Sequence, residues 1–133
     1  MEVIRSISQM QETALRLRRS GQRIGLVPTM GALHEGHLSL LSLAQEASDV
    51  TVMSIFVNPI QFGPKEDFAK YPRPFERDCA LAESKGCSYI FSPDASEMYT
   101  PNFRSCVLVE ELTDGLCGRS RPGHFKGVTT VVT

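Results

Sequence analysis

Three short apolar segments alternate with longer stretches of helical periodicity, and this alternation constrains the fold more than any other feature. The segments are residues 24–27, 50–57 and Tyr89–Phe91, and each is followed within two residues by a proline. Short apolar strands separated by helices are typical of a parallel sheet covered by helices. The sequence therefore predicts an α/β fold, a Rossmann-like parallel sheet with flanking helices, whose ligands bind at the carboxyl ends of the strands.

The remaining segments are assigned from their periodicity and their breaker residues. Predicted helices cover residues 4–17, 38–47 and 74–85. Proline, glycine and charged residues between them predict a loop at 60–73, whose charged residues Lys65, Glu66, Asp67 and Lys70 are expected to be solvated. After residue 100 the sequence favours a strand at 106–109, a glycine-rich loop at 115–123 and an apolar element at 128–132.

Length and charge exclude several classes of protein. A chain of 133 residues is the size of one domain, and a formal net charge of −1 gives no general attraction to nucleic acid. The longest apolar run, residues 50–57, is far too short to span a bilayer, and the first twenty residues do not resemble a secretory signal. We therefore expect a cytoplasmic protein with no membrane partner.

The cysteines show no metal-binding or disulfide pattern. Cys79, Cys87, Cys106 and Cys117 form no CxxC pair, and no Cys/His group has zinc-ligand spacing. We expect buried, reduced thiols and no metal held by protein side chains.

The loop after the first strand carries the most chemistry. Glycines allow a ligand to approach its backbone, and free N–H groups at the start of the next helix favour an anion such as phosphate. His34 and His37 are three residues apart, which places both imidazoles on one side of the first helical turn. A lone histidine here would be structural, but two histidines flanking Gly36 favour contact with a triphosphate.

Three segments together resemble one enzyme family. The His-x-Gly-His pattern resembles the phosphate-binding signature of the nucleotidyl-transferase superfamily. The segments PTMGALHEGH, SIFVNPIQFGPKEDFAKYPR and RPGHFKGVTTVV have the order and approximate spacing found in pantothenate synthetases. The resemblance covers residues 24–132 and implies a role for each matching residue.

In that family the glycine and histidine loop binds ATP. The resemblance assigns this role to Met30, Gly31, Ala32, Leu33, His34, Glu35, Gly36 and His37. It further implies that His37 is the catalytic proton donor and that His34 helps to hold the phosphates.

The two later segments imply the second substrate site. By resemblance, Gln61 binds pantoate and beta-alanine, with Asn58 and Phe62 shaping the pocket; the alternative is a simple turn with a solvated Gln61. Arg121 and His124 are candidates for positive charge near the phosphates, or else belong to a surface turn built on residues 122–123.

The implied reaction is the ATP-dependent condensation of pantoate with beta-alanine, through pantoyl adenylate, to give pantothenate, AMP and pyrophosphate. Mg²⁺ is the implied cofactor beside the co-substrate ATP, and a homodimer the implied assembly. Two alternatives remain open: another adenylyltransferase with a His-x-Gly-His loop, and a non-catalytic nucleotide-binding or interaction module.

Family members continue beyond this point with a Gly-Glu-Lys-Asp segment and a Ser-Ser-Arg loop from a carboxyl-terminal lid domain. We therefore expect residues 1–133 to form a single, truncated amino-terminal nucleotide-binding domain, with little or no turnover. The first predicted strand should lie at an open sheet edge, which favours self-association.

Overall fold

Four parallel strands form one sheet in the computed structural model, which describes residues 1–64, 66 and 68–133. The strand order is β1-β4-β3-β2. The strands are β1 (Glu2–Ile4), β2 (Ile24–Thr29), β3 (Val50–Ile55) and β4 (Tyr89–Phe91). The predicted α/β fold, a parallel sheet with flanking helices, is confirmed. Lys65 and Asp67, for which a solvated loop surface was predicted, lie outside the described residues.

Strand β1 was not predicted from the sequence. It pairs in parallel with β4, and Ile4 is fully buried against it. Its three residues are too few to show alternation, and Ile4 stands three residues before Ile7, which extends the helical pattern backwards. The predicted helix at 4–17 is therefore a strand followed by helix α1 (Ile7–Arg19).

The first two predicted strands, β2 and β3, form the longest pairing in the sheet. Each residue of β2 pairs with one of β3, from Ile24 opposite Val50 to Thr29 opposite Ile55. Strand β3 is the most buried strand, and β2 lies at one edge of the described sheet, as predicted. The buried core cluster comprises Val27, Leu33, Leu41, Met53, Ile55, Ala82, Cys87 and Ile90.

Two of the flanking helices agree with their predicted positions within a few residues: α2 covers Glu35–Ala47 and α3 covers Phe75–Ser84. The short helix α4, Ala95–Met98, was not predicted. The longest described helices, α1 and α2, have 13 residues each, and none of the described helices has the length and apolarity needed to cross a bilayer.

The chain divides into two compact units. The first unit contains Met1–Val57 and Pro72–Met98, with the sheet and helices α1 to α4. The second contains Asn58–Tyr71 and Tyr99–Thr133, with helices α5 (Cys117–Ser120) and α6 (His124–Val132) and two 3₁₀ turns, Pro59–Gln61 and Phe68–Lys70. The assignment of the whole chain to one domain stays a prediction.

The predicted strand at 106–109 is wrong. The backbone of Val107 pairs with side chains of α6 instead of a strand: its N–H donates to Thr130 Oγ1 (3.0 Å), and its carbonyl accepts from Thr129 Oγ1 (2.6 Å). The two threonines satisfy the polar groups that a strand neighbour would otherwise pair with. The apolar element at 128–132 is the end of that helix.

The four cysteines are free thiols, but the expectation that all are buried is wrong. Cys87 is buried and Cys79 is half-buried, and burial raises the pKa of both thiols. Cys106 and Cys117 are exposed because they lie in the second unit, where the segments around them add no strand to the described sheet.

Candidate functional site

The loop between β2 and α2 makes a tight left-handed turn. Gly31 has a φ of +80° and Ala32 a φ of +51°, a region that non-glycine residues rarely occupy. Thr29 fixes the start of the turn, because its hydroxyl donates to Ser54 O (2.7 Å) and accepts from the Gly31 N–H (3.1 Å). The strand end and the loop are thus joined by one side chain.

A buried carboxylate holds the middle of this loop. Asp78, on the first turn of α3, is fully buried, and its two oxygens accept from the N–H groups of Ala32 and Leu33 at 2.8 Å each. A Cβ at Gly31 would lie 3.0 Å from Asp78 Oδ2 and 3.1 Å from Ile55 Cγ2. Glycine is therefore required here by both its φ angle and its contacts.

These bonds correct the expectation of free backbone donors. The N–H groups of residues 31–33 donate to side chains of the same unit, and the N–H of His37 donates to His34 O (2.9 Å). The loop therefore offers an anion fewer N–H groups than predicted. The helix dipole and the two imidazoles remain available for phosphate recognition.

His34 is the N-cap residue of α2. Its Nδ1 accepts from the Gly36 N–H at 3.1 Å, so the proton of its neutral ring is on Nε2. A Cβ at Gly36 would lie 2.9 Å from His34 Cε1, so this glycine leaves the space that the capping ring fills. His34 and Glu35 are exposed at this helix end.

His37 completes the cap and contacts the same ring. Its Nδ1 accepts from the His34 N–H at 3.4 Å, and the two ring centroids are 4.1 Å apart. The prediction that both imidazoles lie on one side of the first turn is confirmed. Burial, and then the nearby His34, lower the pKa of His37, while the Asp78 carboxylate opposes them. His37 is therefore a neutral Nε2–H donor at pH 7.

The predicted second-substrate residues form a buried network in the second unit. Asn58 is fully buried, and its Nδ2 donates to Gln61 Oε1 (2.8 Å) and to Gly127 O (3.0 Å). Its Oδ1 accepts from the Tyr99 hydroxyl at 2.8 Å. Gln61 is only 8% exposed, which excludes the alternative of a solvated side chain.

Phe62 packs in an aromatic group at the end of the first 3₁₀ turn. Its ring meets Phe68 edge to face, with centroids 5.2 Å apart, and Tyr71 at 5.8 Å. Such pairs contribute about 0.5–1.5 kcal/mol beyond burial. Phe62 therefore joins the turn that carries Gln61 to the following loop.

Arg121 and His124 interact with residues of their own unit. Arg121 Nε donates to Glu66, and its Nη1 donates to His124 Nε2 (3.2 Å). His124 Nδ1–H in turn donates to Gln61 O at 3.1 Å. Arg121 lowers the pKa of Glu66, which is thus paired rather than simply solvated as expected. Residues 122–123 form an exposed turn, as the alternative predicted, and Arg121 and His124 on either side of it are held by these bonds.

The predicted site residues thus fall into two groups, one in each unit. Residues 30–37 cluster in the first, and Asn58, Gln61, Phe62, Arg121 and His124 cluster in the second. Sequence reasoning missed Asp78 and Tyr99. Asp78 lies four residues before the buried Ala82, so helical periodicity places it on the buried face of α3 and was the available signal.

Metal-binding side chains do not converge among the residues that the structure describes. Among residues 1–64, 66 and 68–133, no three His, Cys, Asp or Glu side chains lie together in a way that could hold an ion. Asp78, the acidic side chain nearest the loop backbone, already accepts two N–H groups. These residues do not build a Mg²⁺ site on their own.

Comparisons with known proteins identify the family of this chain. Residues 2–133 match the family described as Pantoate-beta-alanine ligase. The pantothenate synthetase of Caldicellulosiruptor bescii is 57% identical over 132 residues, which are 99% of this chain and 47% of that protein. The enzyme of Sulfurihydrogenibium sp. is 58% identical, with the same shares covered.

Solved structures agree as well. The pantothenate synthetase of Thermus thermophilus superposes with a TM-score of 0.86 at 43% identity, over 99% of this chain and 46% of that one. The Francisella tularensis ligase, described as complexed with beta-gamma ATP and beta-alanine, gives 0.90 at 38% identity, over 99% and 51%. The chain spans about half the length of these relatives. It belongs to the pantoate-beta-alanine ligase family.

Proposed function

We propose that this chain contributes the ATP-binding loop and part of the pantoate site to an enzyme that condenses pantoate with beta-alanine. The observation that carries the proposal is the pair His34 and His37, whose Nδ1 atoms both accept backbone N–H groups of their own turn. Both rings therefore have Nε2–H available to donate to phosphate oxygens. The Francisella tularensis relative was solved with a nucleotide and beta-alanine, which supports the same ligands here.

The proposed chemistry needs charge stabilisation more than an activated protein nucleophile. The pantoate carboxylate attacks the α-phosphorus of ATP, and the bond to pyrophosphate breaks. The amine of beta-alanine then attacks the acyl carbon of pantoyl adenylate, and AMP leaves. Because the attacking carboxylate is already anionic, the donors must stabilise charge on the phosphates. His37 Nε2–H and His34 Nε2–H fill that role by hydrogen bonding. His37 is also the proposed proton donor, in the imidazolium form that a bound triphosphate favours.

Gln61 is the proposed contact for pantoate. Asn58 Nδ2 holds the Oε1 atom of Gln61, which fixes the orientation of the amide and the side on which its NH₂ group lies. A fixed NH₂ donor suits a carboxylate or hydroxyl oxygen. No reaction step is assigned to Mg²⁺, because the described side chains do not form a site for it.

Family membership and the open edge of the described sheet support a proposed assembly and location. We propose a cytoplasmic homodimer, which associates through the family's dimer surface or through the unpaired edge of β2. Light scattering of the 133-residue chain at high concentration tests the assembly. A dimer is expected, and a monomer would contradict it.

Calorimetry tests the proposed function. The 133-residue chain should bind the β,γ-methylene analogue of ATP, and His37→Ala should weaken this binding by about tenfold or more. Gln61→Ala should weaken pantoate binding and leave the analogue unaffected. Binding of neither ligand would favour a non-catalytic interaction module, and robust pantothenate formation by this chain alone would contradict a partial site.

A further inference from the structure

Asp78 has no part in the proposed chemistry, yet it is the charged side chain buried most completely in the first unit. Accepting the proposed function, we infer that Asp78 is a positioning residue: its carboxylate clamps residues 31–33 in the left-handed turn that presents His34 and His37 to a nucleoside triphosphate. Asp78 contacts only the loop backbone in this role and acts through the histidines.

The geometry requires two acceptors. One carboxylate oxygen accepts from Ala32 N–H and the other from Leu33 N–H, both at 2.8 Å. Bonds from N–H groups to an ionised acceptor are about twice as strong as neutral ones. An asparagine offers one acceptor and one NH₂ donor, so it would leave one of the two N–H groups facing another donor.

The turn needs this support because its backbone conformation is unfavourable. Ala32 adopts a φ of +51°, which costs about 1 kcal/mol or more for a residue with a Cβ. Gly31 lies close to the same carboxylate, because a Cβ at this position would be 3.0 Å from Asp78 Oδ2. Asp78 therefore bonds two residues of the turn and lies close to the space that a Cβ at Gly31 would fill.

The position of Asp78 also makes its buried charge tolerable. It lies in the first turn of α3, where the helix dipole favours negative charge. The carboxylate also acts on His37 through space, since its charge raises the pKa of that ring against the effects of burial and His34. Asp78 therefore influences His37 through its charge as well as through the loop backbone that it holds.

Asp78→Asn tests the clamp, with Asp49→Asn as the matched control. Asp49 is an acidic residue of the same unit that accepts from Arg23, on the surface and away from the loop. We expect Asp78→Asn to weaken binding of the β,γ-methylene ATP analogue by about tenfold, and Asp49→Asn to leave it within about twofold. Equal binding by Asp78→Asn and the unmodified chain would overturn the inference.

Amide hydrogen exchange gives a second readout that general destabilisation would not reproduce. In the unmodified chain, the amides of Ala32 and Leu33 should exchange slowly. In Asp78→Asn these two should lose protection while the sheet amide of Met53 keeps it. Fast exchange at Ala32 and Leu33 in the unmodified chain overturns the clamp, even if the variant fails to fold.

The two readouts separate failure of the inference from failure of the proposed function. If the unmodified chain does not bind the analogue, the proposed function fails, and amide exchange alone decides the clamp. If the unmodified chain binds it and Asp78→Asn loses both binding and loop protection, the inference is supported. If Asp78→Asn keeps its loop protection, the inference is overturned.

Discussion

The imidazole of His34 lies against that of His37, with ring centroids 4.1 Å apart, and each ring uses its Nδ1 atom to accept a backbone N–H of the turn they share. The helix is therefore capped by the same side chains that are proposed to meet the phosphates. Both rings are set in one tautomer before any ligand arrives, which reduces the ordering cost of binding.

Gly36→Ala tests whether the cap positions His34. The new Cβ would lie 2.9 Å from His34 Cε1, so the ring must leave its capping position. Loss of the cap costs about 1 kcal/mol, whereas alanine in a helix gains about as much over glycine. The urea midpoint should thus hardly change, while affinity for the ATP analogue falls.

Gly115→Ala is the control for that change, because no atom of the described residues lies within 4 Å of a Cβ there. This substitution should change neither the urea midpoint nor the affinity for the ATP analogue. Unchanged affinity in Gly36→Ala would show that the position of the His34 ring does not matter for binding.

The pH dependence of binding follows from the lowered pKa of His37. Burial and the neighbouring His34 disfavour the imidazolium in the free chain, whereas a bound triphosphate favours it. Binding therefore takes up protons at His37. Affinity for the ATP analogue rises as the pH falls below the pKa of His37 in the complex. It levels off once the pH is below the pKa of His37 in the free chain, where the ring is protonated in both states. Each unit of difference between the pKa of His37 in the complex and its pKa in the free chain corresponds to about a tenfold change in affinity.

His37→Gln isolates this contribution in calorimetric titrations between pH 5 and 8. Glutamine keeps an N–H donor near the position of Nε2 but does not titrate, and the analogue's own titration is common to both proteins. The variant should bind at pH 8 and show a flatter pH profile. The same slope in both proteins would exclude His37 as the proton acceptor.

Tyr99→Phe tests the network that holds Gln61. The phenol is the donor to Asn58 Oδ1, and Asn58 is fully buried. Its removal leaves a buried acceptor without this bond, at a cost of about 1–3 kcal/mol in the free energy of unfolding. Urea denaturation should show that loss.

Tyr89→Phe is the matched control, because the Tyr89 hydroxyl has no hydrogen-bond partner among the described residues. Its stability should match that of the unmodified chain. Equal stability of Tyr99→Phe and Tyr89→Phe would show that the hydrogen bond from Tyr99 to Asn58 does not stabilise the fold.

Gly127→Ala tests the contact between α6 and the 3₁₀ turn Pro59–Gln61. A Cβ at Gly127 would lie 2.5 Å from Ile60 O and 2.7 Å from Gln61 N, both of them backbone atoms. The helix must therefore move away, at a cost of about 1–3 kcal/mol, which exceeds the gain in helix propensity. A urea midpoint at or above that of Gly115→Ala would contradict the close packing.

The sequence predicted the parts of the fold that depend on local patterns. The three apolar runs are strands because a parallel strand that is buried on both faces is predominantly apolar, as in Val50–Ile55, where only Thr51 and Ser54 are polar. The three-residue strand Glu2–Ile4 was missed because its stability comes from pairing with Tyr89–Phe91, far along the chain. A local sequence pattern contains no information about a pairing strand that is distant in the chain.

The same limit applies to the candidate site. His34 and His37 were found because their spacing sets their geometry within one turn. Asp78 was missed because its partners, Ala32 and Leu33, are more than forty residues away in the chain. An acidic residue in a first helical turn is usually explained by the helix dipole alone, so the periodicity that places Asp78 on the buried face of α3 did not mark it as part of a site.

Nitrogen NMR of the three histidine rings tests the central claim most directly. In the free chain at neutral pH, His34 and His37 should show protonated Nε2 and bare Nδ1, whereas His124 should show protonated Nδ1. The β,γ-methylene ATP analogue should then shift the Nε2–H signals of His34 and His37. Nδ1–H tautomers at these two rings, or signals that the analogue leaves unchanged, would contradict the account.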